Sequence, residues 1–421
     1  MTLVNPVPSP TIPPADVICV VGIGADGWPG LTDHAREIVE RADVLVGGQR
    51  HLDMVPRDDV TKVSWPKPLR DGLPRLFATH EGRRRVVLAS GDPLVSGVGT
   101  TLIELFGSDA VRIVPAVSSV ALARARLGWA ADRTEVISVV GREVRRIARA
   151  LAPAQLLLIL SSDESTPALV ASLLTEHGYG ASRVWVLENL GGADERCVKG
   201  TARDWGHPEA ARLNVVAVEC EPDPGTWPLA TVPGLPDEAF EHDGQLTKRD
   251  MRASCLARLN PLPGQLLWDV GAGSGSIAIE WMRAHPSNRA VAVEPRTERA
   301  GRVTRNAQRL GVPGLRVVEA SAPRAFTELD ETDRAPDAVF VGGGVSTPGL
   351  IDECWTALRP GGRIVAHAVT LESEAALVRA HAAYGGELVR HSLERAAPLG
   401  GLTGWEPARA VTQWNASKEN R

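Results

Sequence analysis

The 421-residue chain predicts an α/β protein of two halves, the second of them a Rossmann-like parallel sheet. Short apolar runs alternate with amphipathic stretches, the pattern of strand–helix units. Glycine-rich turns follow several of these runs, and in open sheets ligands gather at strand ends. A proline-rich, aliphatic-poor passage, EPDPGTWPLATVPGLP at 221–236, interrupts the alternation and reads as a domain boundary.

Taken in order, the opening residues MTLVNPVPSPTIPPAD lack a basic start and an apolar segment. Residues 1–14 are expected to be a loose tail and not a targeting sequence. A strand over Val17–Gly22 enters the turn VGIGADG and an amphipathic helix through AREIVERAD. Gly22 and Gly24 have no phosphate-binding successor. The strand Val86–Ala89 leads to Ser90, Gly91, Asp92 and Pro93, with Gly97 and Gly99 beyond. This is a possible ligand cradle, although Gly-Asp-Pro also favours tight turns with no ligand at all. In IVPAVSSVALARARLGW a strand, a small-residue turn and a serine-capped helix succeed one another,. From about residue 135 the runs VISVV, LLLIL, RVWVLENL and NVVAVEC form a second strand set. The first domain, 15–222, is therefore expected as two subdomains split near 130–135 with a cleft between them. Residues 223–237 are expected as the linker and 238–421 as the second domain.

The second half carries the strongest signal, LLWDVGAGSGS at 266–276. An apolar strand ends beside an acid, and Gly271, Gly273 and Gly275 then open a helix. Glycines let a ligand approach the backbone, and a helix N-terminus presents unpaired N–H groups. The spacing is G-x-G-x-G, with Ser276 where a dinucleotide loop brings its glycine-rich turn to a close. The next strand, RAVAVEP, ends at Glu294, placed to accept a ribose hydroxyl,. S-adenosylmethionine, with a ribose and a carboxylate but no pyrophosphate, fits this loop better than a nicotinamide dinucleotide. In VVEASAP, Ala320 and Ser321 are small enough to border adenine, and DAVFVGGG opens into glycines at the same sheet edge. Strands near 266, 290, 315, 338 and 363 imply a parallel sheet with helices on both faces,. His367, in the last of these, reads as a satisfied core histidine, and Trp281 beside Ile277 and Ile279 reads as core.

Composition narrows the alternatives. The formal charge is −5 and no basic stripe is present, which disfavours RNA methylation, a nucleic-acid partner or a membrane surface. No apolar run reaches the roughly 18 residues needed to span a bilayer, so a cytoplasmic location is expected. Cys19, Cys197, Cys220, Cys255 and Cys354 contain no C-x-x-C pair and the histidines have no metalloprotease spacing. Neither disulfides nor a metal site is expected. Lysine occurs only at 62, 67, 199, 248 and 418. That bias fits two readings, a GC-rich genome and guanidinium forks that clamp carboxylates.

At this point the residues resemble a family. VGIGADG, LTDHAREIVERADVLVGGQRHL, SGDPLVSGVG, PAVSSVALARARLGW and ENLGGADE are similar to tetrapyrrole methylases. DEAFEHDGQLTKRDMRASCLARL, LLWDVGAGSGSIAIEWMRA, VFVGGG and LRPGGRIVAHAVTLESE resemble a decarboxylating class I methyltransferase. Their order on one chain resembles a fusion of the two in cobalamin biosynthesis. The resemblance implies a tetrapyrrole-methylase fold of two α/β subdomains followed by a class I methyltransferase domain. It implies S-adenosylmethionine as methyl donor and a precorrin as substrate, methylated at C-5 and C-15 with loss of the C-12 acetate carboxylate. Donor contacts are implied at Thr247, at Gly271, Ala272, Gly273, Ser274 and Gly275, at Glu294 and at Ala320. In the first domain they fall at Gly91, Asp92 and Pro93 and at Ser118 and Ser119. Lys248, Arg249 and Arg252 are expected to hold substrate carboxylates, the alternative being a solvated helix face. A homo-oligomer is expected. The stretch after about residue 376 matches less clearly. Two other readings stand against this one: a nicotinamide oxidoreductase, and a half that binds without turnover.

Overall fold

The structure, a computed structural model, describes residues 14–207 and 209–419. The tail expected at 1–14 lies, except for Pro14, outside the described residues. The chain forms two compact units: one runs through Val144 and takes in Pro153–Thr226, the other comprises Arg145–Ala152 and the chain from Trp227 onward.

In the first unit, β1 (Ile18–Ile23), β2 (Val44–Gly47), β3 (Thr61–Ser64), β4 (Arg85–Ser90) and β5 (Val111–Val114) form a sheet of order β3-β2-β4-β1-β5. All its pairings are parallel. The helices α1 (Asp33–Glu40), α2 (Gln49–Asp53), α3 (Leu69–Thr79), α4 (Val98–Phe106) and α5 (Ser119–Leu127) connect and follow these strands. β1 is apolar throughout because both faces are covered. Cys19, Val21 and Ile23 pack with Ile38, while Ile18 and Val20 pack with Leu73 and Phe77. Ser118 caps α5, its Oγ accepting the Ala121 N–H at 3.1 Å, as its sequence context predicts,.

The second sheet of this unit joins β6 (Thr134–Ser138), β7 (Leu156–Leu160), β8 (Arg183–Glu188), β9 (Arg196–Thr201) and β10 (Asn214–Glu219) in the order β6-β7-β10-β8-β9. Only β6 and β7 pair in parallel; the other pairings are antiparallel. Helix α6 (Thr166–Glu176) follows β7.

The second unit contains α7 (Arg249–Leu259), β11 (Leu266–Val270), α8 (Ser276–Ala284), β12 (Arg289–Val293), α9 (Thr297–Arg309), β13 (Arg316–Val318), β14 (Ala338–Val341), α10 (Leu350–Ala357), β15 (Arg363–Ala368) and α11 (Leu371–Tyr384). These are followed by β16 (Glu387–His391), β17 (Glu394–Leu399), β18 (Leu402–Pro407) and β19 (Val411–Ser417). Its seven-stranded sheet has the order β13-β12-β11-β14-β15-β19-β16. The expectation of a parallel sheet holds for β11 to β15, whereas towards one edge β19 pairs antiparallel with both β15 and β16. β17 and β18 pair only with each other. Trp268 and Val270 of β11 pack with one face's core and Leu267 with the other, alongside Ile277 and Trp281. Trp281 is fully buried and donates through Nε1 to the Arg289 carbonyl at 3.0 Å, a core role.

Candidate active site

The loop after β11 is fixed from three sides. Gly271 and Ala272 donate their N–H groups to the Val293 carbonyl at 2.9 and 3.1 Å, tying the loop to β12. Gly271 has φ +73°, and a Cβ there would lie 2.7 Å from the Gly343 backbone. Only glycine allows the loops after β11 and β14 to pass this closely. Gly273 donates to Glu294 Oε2 at 2.9 Å, and Arg296 N–H donates to Oε1 of the same carboxylate at 3.1 Å. Glu294 is 3% exposed and held rigidly, with lone pairs left for further donors,. Behind it, burial pushes the Asp269 carboxyl up to about 7, and the nearby Glu294 charge adds to the rise. Asp269 Oδ2 accepts the Ala278 N–H at 3.0 Å in the first turn of α8, and this opposes the rise.

Over this loop opens a cavity of about 750 Å³. Gly271, Ala272, Gly273, Glu294 and Thr247 line it. Gly275 caps α8 with φ +78°, where a Cβ would meet Val303 at 2.7 Å. Ser274 is buried, its carbonyl accepting from Asn306 Nδ2 at 2.9 Å. These two shape the loop without reaching the cavity wall. Ala320 packs against the core, and its successors Ser321 and Ala322 form the wall in its place.

The cationic triplet expected for substrate carboxylates separates. Lys248 lines the cavity, 3.7 Å from Asp237. Arg249 donates to the Gly234 carbonyl at 2.7 Å and does not line the cavity. Arg252 corrects the expectation outright. It is fully buried and meets Glu280 at 2.5 Å and Asp237 at 3.2 Å, with the Thr247 and Leu235 carbonyls completing its partners. Glu280 in turn accepts the Gly234 and Leu235 N–H groups at 2.6 and 3.1 Å. This network fastens the segment leading to Thr247. A signal for it was present: 252, 255, 256 and 259 share one helix face, and Cys255, Leu256 and Leu259 are buried.

Four cations that sequence reasoning missed line the cavity: Arg296 and Arg299 just beyond Glu294, Arg395 of β17, and Arg409 between β18 and β19. Arg395 and Arg409 line the cavity together with His391 and Val411. Arg395 meets Asp250 at 2.7 Å, while Arg409 is exposed and forms no ion pair among the described residues.

In the first unit, residues after β1, β4 and β5 and from β8 and β10 line a cleft of about 50 Å³ between the two sheets. Gly91 and Ser119 line it. Asp92, Pro93 and Ser118 serve the turn: Asp92 Oδ1 accepts the Leu94 N–H at 2.9 Å, Pro93 is buried beneath Gly97 and Gly99, and Ser118 caps α5. Among the described residues no cluster of side chains could hold a metal ion, and no helix is long and apolar enough to cross a membrane.

One unit carries a glycine loop locked to a buried acid beneath a roomy cavity and the other two sheets with their own glycine turn, a pairing that fits the class of two-domain methyltransferases. Residues 17–205 match the model of the tetrapyrrole (corrin/porphyrin) methylases and residues 238–418 that of the precorrin methyltransferase domain. A precorrin-6Y C(5,15)-methyltransferase (decarboxylating) of a Sinorhizobium species is 45% identical over 95% of this chain and 96% of its own. The enzyme of the same name from Mycobacterium tuberculosis is 47% identical over 96% of this chain and 100% of its own. The crystal structure of the C-terminal domain of the Rhodobacter capsulatus enzyme is 46% identical, covering 45% of this chain and all of that domain, with a TM-score of 0.42. The chain belongs to the precorrin-6Y C(5,15)-methyltransferase (decarboxylating) family.

Proposed function

We propose that the chain methylates one precorrin twice, at C-5 with its first unit and at C-15 with its second, and removes the C-12 acetate carboxylate as carbon dioxide, in cobalamin biosynthesis. S-adenosylmethionine supplies both methyl groups. The observation that carries this reading is the second unit's cavity. At about 750 Å³ it falls within the roughly 300–1,000 Å³ usual for small-molecule sites. Its wall presents glycine backbone, a fixed carboxylate and several cations.

On the donor side, Glu294 accepts from ribose hydroxyls while Gly271, Ala272 and Gly273 give the amino-acid part its close approach to the backbone. Thr247 borders the donor from the strap before α7, and Ser321 and Ala322 leave room for the adenine. On the acceptor side, Lys248, Arg395 and Arg409 hold acetate and propionate carboxylates. In the first unit, Gly91 and Ser119 are the donor contacts.

Methyl transfer from a sulfonium to carbon is an in-line displacement, and the ring carbons of a reduced tetrapyrrole are enamine-like nucleophiles. The protein's task is to hold the partners about 3–3.5 Å apart and aligned. A cytoplasmic site of action accords with five cysteines that form no disulfide among the described residues,. The test is a product mass spectrum from the full chain incubated with reduced tetrapyrrole and donor. Two methyl additions with one carbon dioxide lost are expected, and an unchanged tetrapyrrole would end the proposal.

A further inference from the structure

Two histidines line the second unit's cavity, and a buried glutamine stands behind one of them. His367 of β15 lines the cavity, is 9% exposed, and places its Nε2 2.9 Å from Gln413 Oε1. The two residues are cross-strand partners in the antiparallel β15–β19 pairing, so the backbone itself sets the contact. The Phe340 ring stands edge-on to the imidazole at 5.1 Å. Gln413 is fully buried and its Nε2 has no partner. His391, at the end of β16, also lines the cavity, and its Nε2 is buried without a partner. The sequence marks His367 as a core histidine. It is buried as expected, but its ring also borders the cavity, and Nδ1 makes no hydrogen bond among the described residues.

We propose that His367 is the general acid of the decarboxylation, protonating the side-chain methylene as the acetate loses carbon dioxide, with Gln413 orienting its ring and His391 beside it. The inference rests on the decarboxylating activity proposed above. The bond between methylene and carboxylate breaks and carbon dioxide leaves. The electron pair enters the conjugated ring, leaving an exocyclic enamine, and the methylene carbon then takes the imidazolium proton to become a methyl group. One proton is consumed, and the neutral imidazole regains it from solvent.

The surroundings suit a proton released on cue. Burial pushes His367 down to about 4, Arg258 and His391 press the same way, and the Gln413 hydrogen bond opposes them. His391 is lowered by burial and by Arg258 and raised by Glu387. Arg258 of α7 is itself shared with Glu387 at 3.3 Å and Asn415 at 3.1 Å, while Glu374 of α11 is occupied by Arg390 and Thr412. Lys248, Arg296, Arg299, Arg395, Arg409 and the Glu294 carboxylate are the other charged groups on the cavity wall. A substrate carboxylate arriving beside the ring favours the imidazolium, whose two N–H groups then face Gln413 Oε1 and the substrate. Departure of neutral carbon dioxide removes that anion, so the imidazolium becomes a stronger acid when the carbon needs a proton.

The test uses the full chain with reduced tetrapyrrole and donor, following carbon dioxide release and methyl addition separately across pH. His367→Asn is expected to slow carbon dioxide release by about 100-fold or more and to abolish the alkaline fall of the wild-type rate. Release by the variant at the wild-type rate, with the wild-type pH profile, would overturn the assignment and leave the proposed function standing. If the wild type adds methyl groups but releases no carbon dioxide, the decarboxylating reading falls and this inference falls with it. A second measurement on the wild type covers a variant that does not fold. Histidine-labelled NMR is expected to show a neutral His367 ring near pH 7 in the free chain and a cationic ring with tetrapyrrole bound. A ring that stays neutral in the complex refutes the proposal.

Discussion

The glycine turns of the two units begin alike and end differently. Gly91 and Gly271 each follow a buried parallel strand and each adopts a positive φ, +54° and +73°. Around Gly91 the chain is packed backbone on backbone: a Cβ on Gly22 would stand 1.9 Å from the Gly91 carbonyl oxygen, and the cleft measures about 50 Å³. Around Gly271 a Cβ would stand 2.7 Å from the Gly343 backbone, yet the loop opens onto about 750 Å³ with a buried carboxylate fixing its second glycine. A glycine turn shows that two backbones must meet. What makes a preformed seat is the shell that holds the loop open, here Glu294 and the network around Arg252.

The sharpest way to break this contrast is to unfasten that shell. Arg252→Met leaves Glu280 buried with only two N–H donors. Removing one partner of a buried pair costs about 3–5 kcal/mol. The unfolding transition of the second unit should move down by that amount while the first unit's stays in place, as differential scanning calorimetry would resolve. Lys248→Ala, at the exposed cavity edge, should leave both transitions unmoved. An unshifted Arg252→Met melt would show that the network does not support the seat.

Next in size is the loop itself. Gly271→Ala places a Cβ 2.7 Å from Gly343 at a φ of +73°. Strain of that kind costs about 1–3 kcal/mol, before the steric overlap is counted. Donor binding by the full chain, measured by calorimetry, should collapse from two sites to one, with affinity at the second unit reduced by about 100-fold. Two intact sites would mean that the close approach of Gly271 and Gly343 is dispensable. Glu294→Gln keeps the shape and an oxygen for the Gly273 N–H but removes the charge. Charge-assisted bonds contribute about 1.5–3 kcal/mol, so a loss of roughly 10- to 100-fold is expected at the second site only.

Much of this geometry is legible in the chain. Strand–glycine–helix units announce themselves because their apolar runs are buried on both faces, and LLLIL coincides with β7 at Leu156–Leu160. Glu294 is legible because its distance from the glycine loop follows from the length of one βα unit. The acceptor wall is not. β17 reads ERAAPL and β18 LTGWEP, short, largely exposed and broken by proline and glycine, so no two-residue alternation marks them. Arg395 in β17 and Arg409 between β18 and β19 therefore carry no local sign of facing a cavity. His367 misleads for a different reason, since strand periodicity reports burial and not whether a buried ring borders a hollow. Segment 145–152 belongs to the second unit by tertiary contact alone.

The smallest expected effect tests that wall. Arg409 is exposed and forms no ion pair among the described residues, so its removal breaks no internal bond and should leave the melting temperature unchanged. Its charge is free to meet a substrate carboxylate, whereas Arg395 already shares its guanidinium with Asp250. Arg409→Ala should therefore raise KM for the tetrapyrrole by about 3- to 10-fold at low salt, the scale of a partly exposed charge pair, and leave kcat intact. Arg395→Ala should raise it less. At about 1 M salt, where screening acts over roughly 3 Å, wild type and Arg409→Ala should converge. A loss of kcat with KM unchanged would move Arg409 from holding the substrate to shaping the reacting geometry, and the wall would then do more than anchor carboxylates.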